Sequence, residues 1–102
     1  MEESLTGKQK RYLRRLAHLM NPLISVGKNG LSQTIYDQID QYLSEHELIK
    51  IKILNSCPTN KKECFQKISK RTRSQIAQII GRTLILYRAH PDEPVIQLPP
   101  AT

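Results

Sequence analysis

The sequence predicts a single α/β domain with the element order α-β-α-β-α-β-β and a mixed four-stranded sheet. Three observations carry this. Apolar residues recur at helical spacing in three stretches, and they alternate or cluster over four shorter ones. The helical stretches separate the first three strands, which implies parallel pairing through crossovers. A Gly-Arg pair joins the last two strands as a tight hairpin and adds an antiparallel partner. A length of 102 residues suits one compact domain.

The first helix opens at Thr6-Gly7-Lys8-Gln9, a capping box with Thr6 as N-cap and Gln9 reaching back. Tyr12, Leu13, Leu16, Ala17 and Met20 give its apolar stripe. Lys8, Arg11, Arg15 and His18 fall on another face, and Pro22 ends the helix. Leu23–Val26 is short and β-prone, so it reads as a buried strand. The loop Gly27-Lys28-Asn29-Gly30 follows. Ser32 then caps a second helix carried by Ile35, Ile39, Tyr42 and Leu43. Residues 48–54 alternate, with Ile49, Ile51 and Ile53 on one face and Lys50 and Lys52 on the other. Beyond Pro58, Asn60 and Glu63 open a third helix whose Cys64, Phe65 and Ile68 face inward. In "SQIAQIIGRTLILYR" the isoleucines fit a helix as well as a strand. Glycine at the first central position of a type II′ turn favours a hairpin at Gly81-Arg82, with residues 83–88 returning. Residues 1–90 form the expected domain. Residues 91–102, rich in proline, form an extended and partly mobile tail.

The formal charge of +7 points to an acidic partner, and its distribution is sided. Lys8, Lys10, Arg11, Arg14 and Arg15 form one run without an acid. Lys61, Lys62, Lys67, Lys70, Arg71 and Arg73 form another, while residues 31–47 carry only acids. No segment approaches the roughly 18 apolar residues of a membrane span. The acidic-then-basic start lacks the apolar core of a signal peptide, so a cytoplasmic location is expected. Cys57 and Cys64 fit no zinc spacing and read as free thiols. His18, His46 and His90 are scattered, and no catalytic triad, paired carboxylate or metal cluster stands out. The reading therefore assigns no catalytic, cofactor-binding or metal residue, no small-molecule substrate and no enzyme activity.

The stretch with most functional content is "VGKNGLSQ". Glycines let a backbone approach a ligand with no Cβ in between. The helix that follows leaves its first amides free and carries partial positive charge there. Residues 32–36 supply no acid to neutralise that end, and Lys28 adds a full charge. A phosphate fits such a place. Alternatively, the four residues are simply a turn with Asn29 or Gly30 left-handed. The third glycine of a dinucleotide fingerprint and the Gly-Lys-Ser/Thr of a P-loop are both missing, so a nucleotide-using enzyme is unsupported.

Taken in order, "LTGKQKRYLRRLAH", "NPLISVGKNGLSQ", "HELIKIKI" and "QIIGRTLILYR" resemble the CRM-domain family, in its small single-domain YhbY-like bacterial members. The resemblance runs from about Leu5 to Arg88. It implies a mixed four-stranded α/β sheet similar to the C-terminal domain of a bacterial translation initiation factor. It also implies RNA binding and association with precursors of the large ribosomal subunit. The family's Gly-x-x-Gly loop, likened to that of KH domains, falls on Gly27, Lys28, Asn29 and Gly30. One departure is Arg73-Ser74, between third helix and third strand, where the family often has glycine. The expected function is thus RNA binding in ribosome assembly, by a monomer. Lys8, Lys10, Arg11, Arg14 and Arg15 would neutralise phosphates, and the loop would grip backbone. Lys50, Lys52 and Arg82 are further candidates. The alternatives are a module that docks an acidic protein on the basic face, or a DNA-binding domain.

Overall fold

The computed structural model describes residues 4–100. Each helix starts where a side chain takes up a free amide. In α1 (Gly7–Ala17), Thr6 Oγ1 accepts from the Gln9 amide at 3.2 Å, and Gln9 Oε1 accepts from the Thr6 amide at 3.0 Å. Ser32 caps α2 (Gln33–His46), accepting from the Ile35 amide. Asn60 caps α3 (Lys61–Thr72), accepting from that of Glu63. The strands are β1 (Ile24–Val26), β2 (Leu48–Ile53), β3 (Gln75–Ile80) and β4 (Thr83–Tyr87). Gly81 takes a φ of 59° in the β3–β4 hairpin while Arg82 keeps a negative φ, as a type II′ turn demands.

The α/β class, the element order and the mixed four-stranded sheet are as the sequence predicts. The sheet runs β1-β2-β4-β3, and the expected parallel pairing of the first three strands holds only for β1 and β2, because β4 inserts between β2 and β3 and pairs antiparallel with both. Three strand ends are shorter than expected. Leu23, Leu54 and Arg88 lie just outside their strands, each held to a neighbour by one backbone bond: to Lys50 O, Val26 O and Glu47 O.

Alternation along the strands gives each sheet face its own helices. Ile49, Ile51, Ile53, Leu84 and Leu86 pack with Ile39 and Leu43 of α2 and Cys64, Phe65 and Ile68 of α3. Leu48, Ala77, Ile85 and Tyr87 point the other way and pack with Leu13 and Ala17 of α1. A bulge between Ile76 and Gln78 shifts the β3–β4 register, and beyond it Ile79 and Ile80 are exposed. Arg73 resolves the missing glycine: it adopts the left-handed conformation itself, with φ 54°, and its amide closes α3 on Ser69 O.

The C-terminal segment forms no helix or strand over its described residues, and it is docked rather than partly mobile as expected. Ile96 and Leu98 pack against the α1 cluster, and Gln9 Nε2 donates to Pro99 O at 3.0 Å. Its anchor is Glu47, the single residue between α2 and β2. Glu47 is buried and has a φ of 64°. Such a backbone costs a non-glycine residue about 1–3 kcal/mol. The carboxylate offsets this by accepting from the amides of His90, Val95 and Ile96 at 2.7, 2.9 and 2.8 Å. Among the described residues no helix is long and apolar enough to cross a membrane.

Candidate nucleic-acid interface

Gly27–Gly30 closes as a β-turn at the end of β1. The Gly30 amide donates to Gly27 O at 2.9 Å, and Lys28 and Asn29 stand exposed with negative φ. Gly30 leaves the turn at φ 65°, so the chain geometry itself asks for glycine there. Gly27 differs. Its φ is ordinary, and a Cβ built on it would meet Leu54 Cδ1 and Ser56 Oγ at 3.5 Å, an ordinary contact. After the turn, Ser32 Oγ satisfies Ile35, while the amides of Gln33 and Thr34 have no partner among the described residues. The first turn of α2 contains no acid. Free amides, the helix dipole and Lys28 therefore share one end of the sheet.

Residues 54–59 back this turn. Leu54 N donates to Val26 O at 2.9 Å, and Pro58 Cγ would lie 3.5 Å from a Cβ at Gly30. Arg82 stiffens the same support. Its Nε donates to Ile53 O at 2.7 Å and its Nη2 to Leu54 O at 2.9 Å, which ties the guanidinium to backbone carbonyls. Cys57 and Cys64 are free thiols that meet beneath this segment, Sγ to Sγ at 3.6 Å. Burial, then the Cys57 contact, pushes the Cys64 thiol up to about 11.

On α1, Lys8, Lys10, Arg11, Arg14 and Arg15 are all exposed, and none forms an ion pair among the described residues. Arg11, Arg14 and Arg15 line one shallow groove with His18 and Leu19. At helical spacing Lys8 and Lys10 flank that groove on either side. Lys50 emerges beside the helix end and donates to His18 O at 3.3 Å. Lys52 is exposed and pairs with Ser25 on one side and Thr83 on the other, and Thr83 pairs with Ile80. That row, Ser25–Lys52–Thr83–Ile80, lies on the α1 side of the sheet at the end bearing the turn. The fold thus gathers the loop and Lys52 at one end. The α1 cations stand on the adjoining face, and Arg82 has a supporting position.

The second basic run of the sequence, not counted among the RNA-binding candidates, lies on the opposite face. Lys67, Lys70 and Arg71 of α3 line a groove of about 580 Å³ with Leu31 and Tyr36. Arg71 lies over the Tyr36 ring at 4.9 Å and donates to Gln33 Oε1 at 2.8 Å. The signal was present: 67, 70 and 71 have the i, i+3, i+4 spacing of one helix face. Arg88, by contrast, is structural, bonded to Asp40, Ser44 and Thr72 O.

These features define a small α/β domain with a glycine-flanked turn between a strand and a helix. The model of the CRS1 / YhbY (CRM) domain matches residues 5–88, and the chain belongs to that family. It is 41% identical over 95 residues to a Bacillus subtilis protein named "Probable RNA-binding protein YqeI", spanning 93% of this chain and 99% of that one. It is 38% identical over 96 residues to a Haemophilus influenzae protein named "RNA-binding protein", spanning 94% and 96%. The solution structure of the Staphylococcus aureus protein SAV1595 superposes with a TM-score of 0.77 at 43% identity, covering 93% of this chain and 99% of that one.

Proposed function

We propose that this protein binds RNA by its backbone and acts, as a cytoplasmic monomer, in assembly of the large ribosomal subunit. The turn at residues 27–30 and the free amides of α2 grip phosphate, and the α1 cations neutralise its neighbours. It binds and positions RNA and catalyses no reaction. Residues 1–90 form the binding unit, and residues 91–102 extend it. Membership of the CRM family and the names of two relatives support the RNA class.

The observation that carries the reading is the contrast between the two glycines. Gly30 answers a demand of the chain, with φ 65°. Gly27 answers none, since a Cβ fits there. A ligand approaching the backbone supplies the missing reason. Gly27→Ala should therefore leave stability unchanged or raise it by about 0.4–1 kcal/mol. It should also weaken binding to a large-subunit ribosomal RNA fragment. Gly30→Ala should cost about 1–2 kcal/mol of stability. Thermal melts and filter binding on the two variants separate the roles. A folded Gly27→Ala protein with wild-type affinity would reduce the stretch to a turn.

One observation favours a protein partner at the C-terminal end of α1 and the segment after it. Leu16, Leu19 and Leu23 are 43%, 90% and 41% exposed near the arginines. If that reading holds, Leu19→Ser would impair function in the cell and leave RNA affinity unchanged.

A further inference from the structure

We propose that the groove between α2 and α3 is a second RNA contact, holding single-stranded nucleotides that run on from the phosphate at the turn. The inference rests on the RNA reading above and extends it to the other face of the sheet. Continuity is the first argument. Leu31, which lines the groove, directly follows Gly30, and Gln33 of the first α2 turn holds Arg71 at 2.8 Å. A strand leaving the turn on this side therefore enters the groove.

Chemistry is the second argument. Three cations line the groove. Lys70 has no partner among the described residues, and Lys67 shares its charge with Glu63 at 3.2 Å. Arg71 has its guanidinium carbon 4.9 Å from the centre of the Tyr36 ring, and its Nη2 donates to Gln33 Oε1 at 2.8 Å. A guanidinium so placed offers its other face to a base, a platform that single-stranded nucleotides use. The acids of α2 and α3 near these cations are engaged: Glu63 by Lys67, Asp40 by Arg88 at 2.6 Å, and Asp37 accepting from Gln33 Nε2 at 2.8 Å. Because α1 packs on the opposite face, RNA on both surfaces would bend over the end of the sheet at the turn. A continuous rigid duplex fits that path poorly. An unpaired segment fits it well.

The test titrates ¹⁵N-labelled protein with a short oligouridylate and measures affinity against salt for wild type, Lys67→Gln/Lys70→Gln and Arg71→Lys. Amide shifts at Leu31, Tyr36 and Lys70 are expected in the wild type. The double variant should flatten the log–log salt slope by about 1.4, the value for two single-strand phosphate contacts. Arg71→Lys keeps the charge, loses the planar face and should bind more weakly. Wild-type binding with no shift at these amides, or with an unchanged slope in the double variant, would overturn the groove and leave the turn intact. If wild type binds neither the oligouridylate nor ribosomal RNA, the RNA reading itself fails.

Discussion

Replacing Glu47 by Gln is expected to release the C-terminal segment and leave the sheet in place. The carboxylate serves three amides, His90 through Oε2 and Val95 and Ile96 through Oε1. Glutamine has the same shape but one acceptor. If its oxygen keeps Val95 and Ile96, its NH₂ group faces the His90 N–H, donor against donor. Hydrogen bonds to a charged group contribute about 1.5–3 kcal/mol each and neutral ones about 0.5–1.5. Losing one of the first kind and weakening two others removes about 3.5–6 kcal/mol, an upper range because a freed segment rehydrates. At about 1.4 kcal/mol per decade, exchange of the Val95 and Ile96 amides should speed up by at least about 100-fold and by up to about 10,000-fold. Hydrogen–deuterium exchange followed by NMR measures this, and far-UV circular dichroism checks the sheet. Unchanged exchange at those amides would refute the carboxylate's role as anchor. A pH profile adds a second reading. Burial pushes the Glu47 carboxyl up, and the amides of His90, Ile96 and Val95 together with the His90 charge pull it further down, to below its ordinary 4.5. A carboxyl lowered by folding stabilises above its unfolded value and loses that effect as pH falls through the folded one. The same amides should therefore lose protection below pH 4.5 in the wild type, a step that the Gln variant lacks.

Changing Arg11, Arg14 and Arg15 together to Gln should reduce the magnitude of the RNA salt slope by about 2–2.7, and an unaltered slope would place the phosphates elsewhere. If all five α1 cations met phosphates, the full slope would reach about −3.5 to −4.5. Alkylation by iodoacetamide at pH 8 should modify half-buried Cys57 quickly and Cys64 slowly, because the Cys64 thiol is buried and titrates near 11. Equal rates, read by peptide mass spectrometry, would count against the packing around α3.

Much of the fold was legible because it is written in local patterns. Thr6 with Gln9, Ser32 and Asn60 announce helix starts, and Gly81 announces the hairpin that the ambiguous isoleucines do not. Alternation from Leu48 to Ile53 assigned each side chain its face. What remained hidden depends on partners far away in the chain. Glu47 meets amides 43 to 49 residues on, and an acid at a helix end gives no local hint of that. Arg82 and Arg88 look like free charges in the sequence and prove to be bonded to carbonyls of other elements. The loop was found through its glycines, yet the difference between Gly27 and Gly30 needed the backbone. The α3 groove needed Tyr36, which helical spacing alone assigns to the core.

The strand order also decides when the molecule becomes whole. β4 is the last strand in the chain, yet it sits between β2 and β3, which share no ladder of their own. As the chain is synthesised, β1 can lie on β2, but β3 has nowhere to attach until Thr83–Tyr87 has emerged. The seat of α1 is unfinished until then as well, since Ile85 and Tyr87 form part of it. A chain interrupted before Thr83 would carry the basic first helix over a partial seat, with Leu48 and Ala77 present but Ile85 and Tyr87 missing.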